Sequence, residues 1–309
     1  MAAARLRDAP SWVLRLRFGL SPLNVSRSDG PPGGIRGRGG VLWAPRKVAL
    51  FMPPPLARAI QRALRVPLSV AARLAVDLVL VATQSRTAVL IDTCALSIAR
   101  ARALAEVCHG EDILLVVLAQ QVFVVHRRAF ATKWERDDTC VYVDPRHPRQ
   151  KATRSPGTHA ILACIYDACV QDTRSCMIVG RDVRAHSIAA CGWLLDYPVV
   201  YTCATGATEV RSVPLTEAHW TDGWDTEALT VTDVSLLLVE VQLHSTSLPQ
   251  PHPVLAYTVP IQMPDAHAIV AAANHRMLAH GAAGRWLEGL GLVEFRIHSS
   301  HVHMDRMAL

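Results

Sequence analysis

From residue 53 onward, short apolar runs alternate with longer segments whose apolar side chains return every third or fourth position, the two periods that mark buried strands and amphipathic helices. Leu56 to Arg65 and Val70 to Val81 read as helices. The second is opened by Ser69, with Val70, Leu74, Leu78 and Val81 on one face and Arg73 and Asp77 four apart elsewhere. Ala88 to Ile91 is a short buried strand, and Asp92-Thr93 leads into a helix from Ile98 to Val107. Ile113 to Leu118 and Val122 to Val125 form a hairpin across Ala119-Gln120-Gln121, and Val141 to Val143 is a further small strand. Thr158 to Val170 is an amphipathic helix.

The stretch from Ser175 to Cys203 is the most organised. Cys176 to Gly180 is a strand, followed by a helix opened by Asp182 with Ile188, Cys191 and Leu195 on one face. Pro198 lacks an N–H and forces Tyr197 toward extended geometry, so the chain passes into the strand Val199-Val200-Tyr201. Strand, helix and strand in so few residues predict a parallel βαβ unit. Ala204 to Glu227 reads as a long loop. Leu229 to Leu243 is a strand too long to be straight, to be bent or divided in two, and Val254 to Ile261 follows it. Asp265 caps a last helix, and Val293, Phe295 and Ile297 alternate with Glu294 and Arg296 as a final half-buried strand. The expected fold is α/β or mixed α+β, a layered domain with a central mixed sheet containing at least one parallel βαβ unit and helices packed on it.

Composition divides the chain in two. Residues 1–50 hold nine of the 32 basic side chains but two of the 26 acidic ones, so the net charge of +6 belongs to them and the remainder, 23 basic against 24 acidic, is neutral. That segment is rich in Pro, Gly and Arg and has no hydrophobic period, which divides the chain into a disordered extension, 1–51, and a single domain, 52–309. A disordered tail is the simplest reading. A mitochondrial transit peptide, through a basic amphipathic Arg5 to Leu20, and RNA contact through the GIRGRGG tract stand beside it. Nucleic acid is otherwise not an expected partner.

The eight cysteines are scattered and include no Cys-x-x-Cys pair, a pattern of reduced thiols at core positions such as Cys164, Cys169, Cys176 and Cys191. No apolar run is long enough to span a bilayer. A soluble, cytoplasmic protein without a membrane partner is expected, or a mitochondrial one if residues 1–50 act as a transit peptide.

Ligands of open α/β sheets sit beyond the carboxyl ends of the parallel strands, which singles out Asp92, Cys94, Asp182 and Thr202. Asp92 and Asp182 could share a metal or acid–base work; helix capping, worth about 1 kcal/mol each, is the plainer role. Cys94 to Arg100 has the Cys-x5-Arg spacing of phosphatase loops, but no glycine and bulky Leu96 and Ile98 where backbone N–H groups would have to wrap an oxyanion. His298, His301 and His303 form a histidine cluster, yet a regular strand puts His298 on the face opposite the other two, so a solvated tail is expected and no metal site. No cofactor is implied, since the common dinucleotide, P-loop, nucleophile-elbow and zincin motifs are all missing. Trp220 and Trp224 in the long loop suit a contact surface for an unknown protein partner.

The phrases GWLLDYPVVYTC, AVDLVLVATQSRTAVLIDT, LTVTDVSLLLVEVQL and VLAYTVPI, in their order, resemble the uncharacterised vertebrate family named for chromosome 1 open reading frame 74, a domain of unknown function, over approximately residues 52 to 299. The resemblance implies no activity, cofactor or catalytic residue. The sequence therefore favours a non-catalytic binding or scaffold protein, with an enzyme or small-ligand binder around Asp92, Cys94 and Asp182 as the alternative.

Overall fold

The structure, a computed structural model, describes residues 54–108, 112–136, 140–171, 175–179, 184–202, 212–213, 230–246, 248, 250–282 and 293–308. Asp182, Trp220 and Trp224, and most of the expected loop 204–227, lie outside them. The fold is mixed α+β. Its helices are α1 (Pro54–Leu64), α2 (Leu68–Ala82), α3 (Ile98–Val107), α4 (Arg127–Arg136), α5 (Pro156–Gln171), α6 (Arg184–Leu194) and α7 (Ala266–Ala282).

The largest sheet has five strands in the order β1 (Ala88–Leu90), β3 (Gln121–His126), β2 (Ile113–Leu118), β6 (Cys176–Val179) and β8 (Ser212–Val213). A second contains β5 (Lys151–Ala152), β4 (Val141–Val143) and β7 (Val199–Tyr201), and a third β10 (His252–Pro260), β9 (Thr230–Ser245) and β11 (Val293–Ala308). Every residue of the central strand β2 is buried, because both of its faces are covered. Its alternation sorts the core: Ile113, Leu115 and Val117 pack with α1, α2, α3 and the third sheet, whereas Leu114, Val116 and Leu118 pack with Phe130 of α4, Ile161 and Ile165 of α5 and Trp193 of α6. Helix α2 is apolar nearly all round and is correspondingly buried along most of its length.

The expected unit at 175–203 is corrected in its pairing. Each of its strands has a parallel partner, but not the other: Cys176 of β6 lies beside Leu115 of β2, and Val199 of β7 beside Val141 of β4. Helix α6 thus carries the chain from one sheet to another. A short apolar strand offers the same hydrogen-bonding edge to any neighbour, and the partner is chosen by which edge the rest of the fold leaves open.

Other local expectations shift for identifiable reasons. Helix α2 starts at Leu68 behind Pro67, so Ser69 sits inside its first turn, and Asp77 is buried rather than paired along the helix with Arg73. Ser97, not Asp92, caps α3, its Oγ accepting the Arg100 N–H at 3.4 Å. The hairpin turn is two residues, Ala119 and Gln120, both left-handed (φ 47 and 62), with Gln121 already paired to Leu118. β9 runs unbroken for 16 residues; the irregularity lies in its neighbour, between Pro253 and Leu255. Asp265 precedes α7 with left-handed backbone (φ 64), and its carbonyl accepts the Ile269 N–H. The histidine tail is part of β11, with His298 opposite Glu240, His301 opposite Leu237 and His303 opposite Ser235.

Candidate functional site

Helix α6 ends in a Schellman motif: the Asp196 N–H donates to the Trp193 carbonyl at 3.2 Å and the Tyr197 N–H to the Gly192 carbonyl at 3.0 Å. The motif needs a left-handed residue after the helix, ordinarily glycine, yet Asp196 occupies that place at φ 63. Its carboxylate accounts for the exception. Oδ1 meets Lys133 Nζ at 2.8 Å, and Oδ2 accepts the Thr87 N–H at 2.8 Å. Burial alone would raise the Asp196 pKa, but the charges of Lys133 and Arg86 and these hydrogen bonds outweigh it and hold it below the ordinary value.

Lys133, on α4, is buried; it also donates to the Trp193 carbonyl and stands 4.2 Å above the Trp193 ring centroid. Arg86 is 4% exposed. Its terminal nitrogens donate to the carbonyls of Val254 and Leu195, while its Nε is buried without a partner. Lys133 is thus ion-paired with the Asp196 carboxylate, which keeps 24% side-chain exposure, whereas the buried Arg86 has carbonyl partners and influences Asp196 through its charge. These groups line a cavity of about 270 Å³, with Arg136 and Arg276 as two further cations and Gln84, Ser85, Thr87, Thr132 and Asn274 as hydrogen-bonding groups. Gln84 is a second left-handed residue, at φ 58. Its walls come from the turn after α2, from α4, the exit of α6, β10 and α7.

The strand-end residues behave differently. Asp92 is exposed, and Cys94 is half-buried, its thiol pushed up by burial despite the neighbouring Thr93 side chain and the Arg100 charge. Arg100 directs a guanidinium nitrogen to the Ala95 carbonyl at 3.2 Å. A raised thiol pKa beside an arginine engaged with backbone is the reverse of what a phosphatase loop requires. Thr202 is buried, and its N–H extends the β4–β7 pairing by donating to the Val143 carbonyl at 2.9 Å. Neither Asp92, Cys94 nor Thr202 lines the cavity, although Asp92 contributes to holding up the Tyr197 phenol, after the larger effect of burial.

A buried serine and histidine also meet, Ser155 Oγ and His186 Nδ1 being 3.0 Å apart. Ser155 precedes Pro156 and accepts the Thr158 N–H at 3.2 Å, so it is the N-cap of α5, with the proline at the first helical position. Both side chains are 5% exposed and line neither the cationic cavity nor the neighbouring one described below, leaving a cap rather than a nucleophile. Among the described residues no group of three His, Cys, Asp or Glu side chains could hold a metal ion, and no helix is long and apolar enough to cross a membrane.

Sequence reading missed Arg86, Lys133 and Asp196. One signal was present: an aspartate, rather than glycine or asparagine, at the exit of a helix ahead of Tyr197-Pro198. Fold and site together define a mixed α+β protein with a cationic, partly enclosed cavity. Comparison with protein families, curated proteins and solved structures found no match to the chain.

Proposed function

We propose that the chain is a binding protein for a small anion, with its seat in the cavity formed by Arg86, Lys133, Asp196, Arg136 and Arg276. The observation that carries this reading is that two buried cations meet at one cavity, Lys133 paired with the Asp196 carboxylate and Arg86 having only carbonyl acceptors for its terminal nitrogens. Buried positive charge is costly unless it is matched, and an incoming anion supplies the match. Backbone strain supports the same place: the left-handed Gln84 and Asp196 both line the cavity, where strain marks positions held for a purpose other than local stability.

A seat for a ligand is a binding function, and it requires no reaction. The alternative, an enzyme at the strand ends, has less behind it, since Cys94 is held as a thiol and Asp92 points to solvent rather than into the cavity. The proposed kinship with the chromosome 1 open reading frame 74 family adds no activity to either reading.

The test is calorimetric titration and thermal unfolding of the full chain with inorganic phosphate and with acetate. A ligand of the native state alone raises stability, by about 2.7 kcal/mol at a hundredfold excess over its Kd. Arg136 and Arg276 lie on the exposed rim, so Arg136→Ala with Arg276→Ala should leave the fold intact and weaken binding about tenfold or more. Absence of binding by either anion to the folded wild type would sink the proposal.

A further inference from the structure

A second cavity, of about 520 Å³, lies against the first. Its walls include Leu90 at the end of β1, Ile188 and Cys191 of α6, Tyr201 of β7 and Ala256 and Thr258 of β10, and no charged side chain lines it. It shares Tyr257 with the cationic cavity. The segment after α6 runs between them and alternates: Asp196 and Pro198 line the cationic side, Tyr197 and Val199 the uncharged side. The rings of Tyr197 and Tyr257 lie 6.2 Å apart and tilted by 38°, Tyr257 standing on the wall common to both cavities.

Resting on the anion reading above, we infer that the ligand is an amphipathic anion: a phosphate or carboxylate head in the cationic cavity, joined to a flat, uncharged aromatic group that passes Tyr257 into the second cavity. Three observations support it. The cationic cavity alone is at the small end of ligand sites, and the second brings the pair into their usual size. The polar atoms of the second cavity are largely satisfied by the protein: the Tyr201 hydroxyl donates to the Thr258 carbonyl at 3.2 Å, and Cys191 Sγ lies 3.6 Å from Gln121 Oε1. What remains is a surface of aromatic faces and aliphatic carbon. Burial holds the phenols of Tyr201 and Tyr257 up at about 12, and that of Tyr197 above its usual value, so all three are uncharged near pH 7 and add no repulsion against an anion.

The experiment compares inorganic phosphate with phenyl phosphate, and acetate with benzoate, by calorimetric titration of the full chain. Wild-type protein is set beside Ala256→Phe, which fills the second cavity from an exposed position, and beside the double variant of Arg136 and Arg276. The expected result is that at least one aryl anion binds about tenfold or more tighter than its parent ion. Ala256→Phe should remove that gain without changing affinity for the parent ion, and the double arginine variant should weaken both. Equal affinity for parent and aryl anions, or a gain that survives Ala256→Phe in folded protein, overturns the inference and leaves the anion seat standing. Failure of both parent ions, phosphate and acetate, to bind overturns the anion seat itself.

Discussion

His252 Nε2 lies 2.8 Å from Asp77 Oδ1, both side chains buried and 175 residues apart in the chain. The contact joins the start of β10 to the middle of α2, and therefore fixes the third sheet, one wall of both cavities, against the helical layer. Removing one partner leaves the other buried and unmatched. Asp77→Ala is expected to lower stability by about 3 kcal/mol, with Asp77→Asn costing less because it keeps an acceptor. Urea unfolding of the two variants, with His252→Ala completing a double-mutant cycle, measures the coupling; a cycle that closes at zero would refute it.

His126 ends β3 and accepts the Ala129 N–H on Nδ1 at 3.3 Å, so only a neutral imidazole can serve as this cap of α4. Burial lowers its pKa to about 4; Asp112 opposes the shift and Arg128 adds to it. Between about pH 6.5 and pH 4 the unfolded chain binds a proton at this site that the folded chain does not. The stabilisation is therefore present above 6.5 and is lost as pH falls through that window, by up to about 3 kcal/mol. Stability measured from pH 7 to pH 4 should fall less steeply in His126→Asn than in wild type. Parallel slopes would assign the acid sensitivity elsewhere.

Gly157 has no room for a side chain: a Cβ there would stand 2.3 Å from His186 Cδ2 and 2.4 Å from its Nε2. Gly157→Ala should displace the imidazole, separate it from Ser155 and cost about 1–3 kcal/mol, although alanine is the better helix former. Thermal unfolding decides the sign; a stabilised variant would mean that His186 moves aside at no cost.

Ala119 and Gln120 hold the two left-handed positions of the β2–β3 turn, which asparagine and glycine occupy with less strain. Ala119→Asn with Gln120→Gly is expected to stabilise the protein by roughly 1 kcal/mol, read as a higher urea midpoint. A lower midpoint would show that these side chains make contacts worth more than the strain they impose.

Cys94 should behave as an unactivated thiol because burial raises its pKa. Alkylation by iodoacetamide near pH 7.5, followed residue by residue by mass spectrometry, is expected to be slower at Cys94 than at a free thiol in solution. A faster rate would reopen the phosphatase-loop reading.

Local structure was largely legible in the sequence because its causes are local. The period-two and period-3.6 patterns placed α2, α3, β2 and β3 to within a few residues, and Pro198 fixed the exit of α6 ahead of β7. The mixed class followed from the alternation of such elements. Pairing did not: β6 and β7 read as neighbours because they are close in sequence, whereas backbone edges carry no address and the fold gave them β2 and β4. The strand-end rule points to Asp92 and Cys94, which the cavity does not include. The cationic cavity instead gathers Arg86 from a turn, Lys133 from a helix, Asp196 from a helix exit and Arg276 from α7, residues whose individual settings look like ordinary surface chemistry. Burial and convergence gave them meaning, and both belong to the tertiary structure: charge becomes costly, and so informative, only where the fold has removed water from around it.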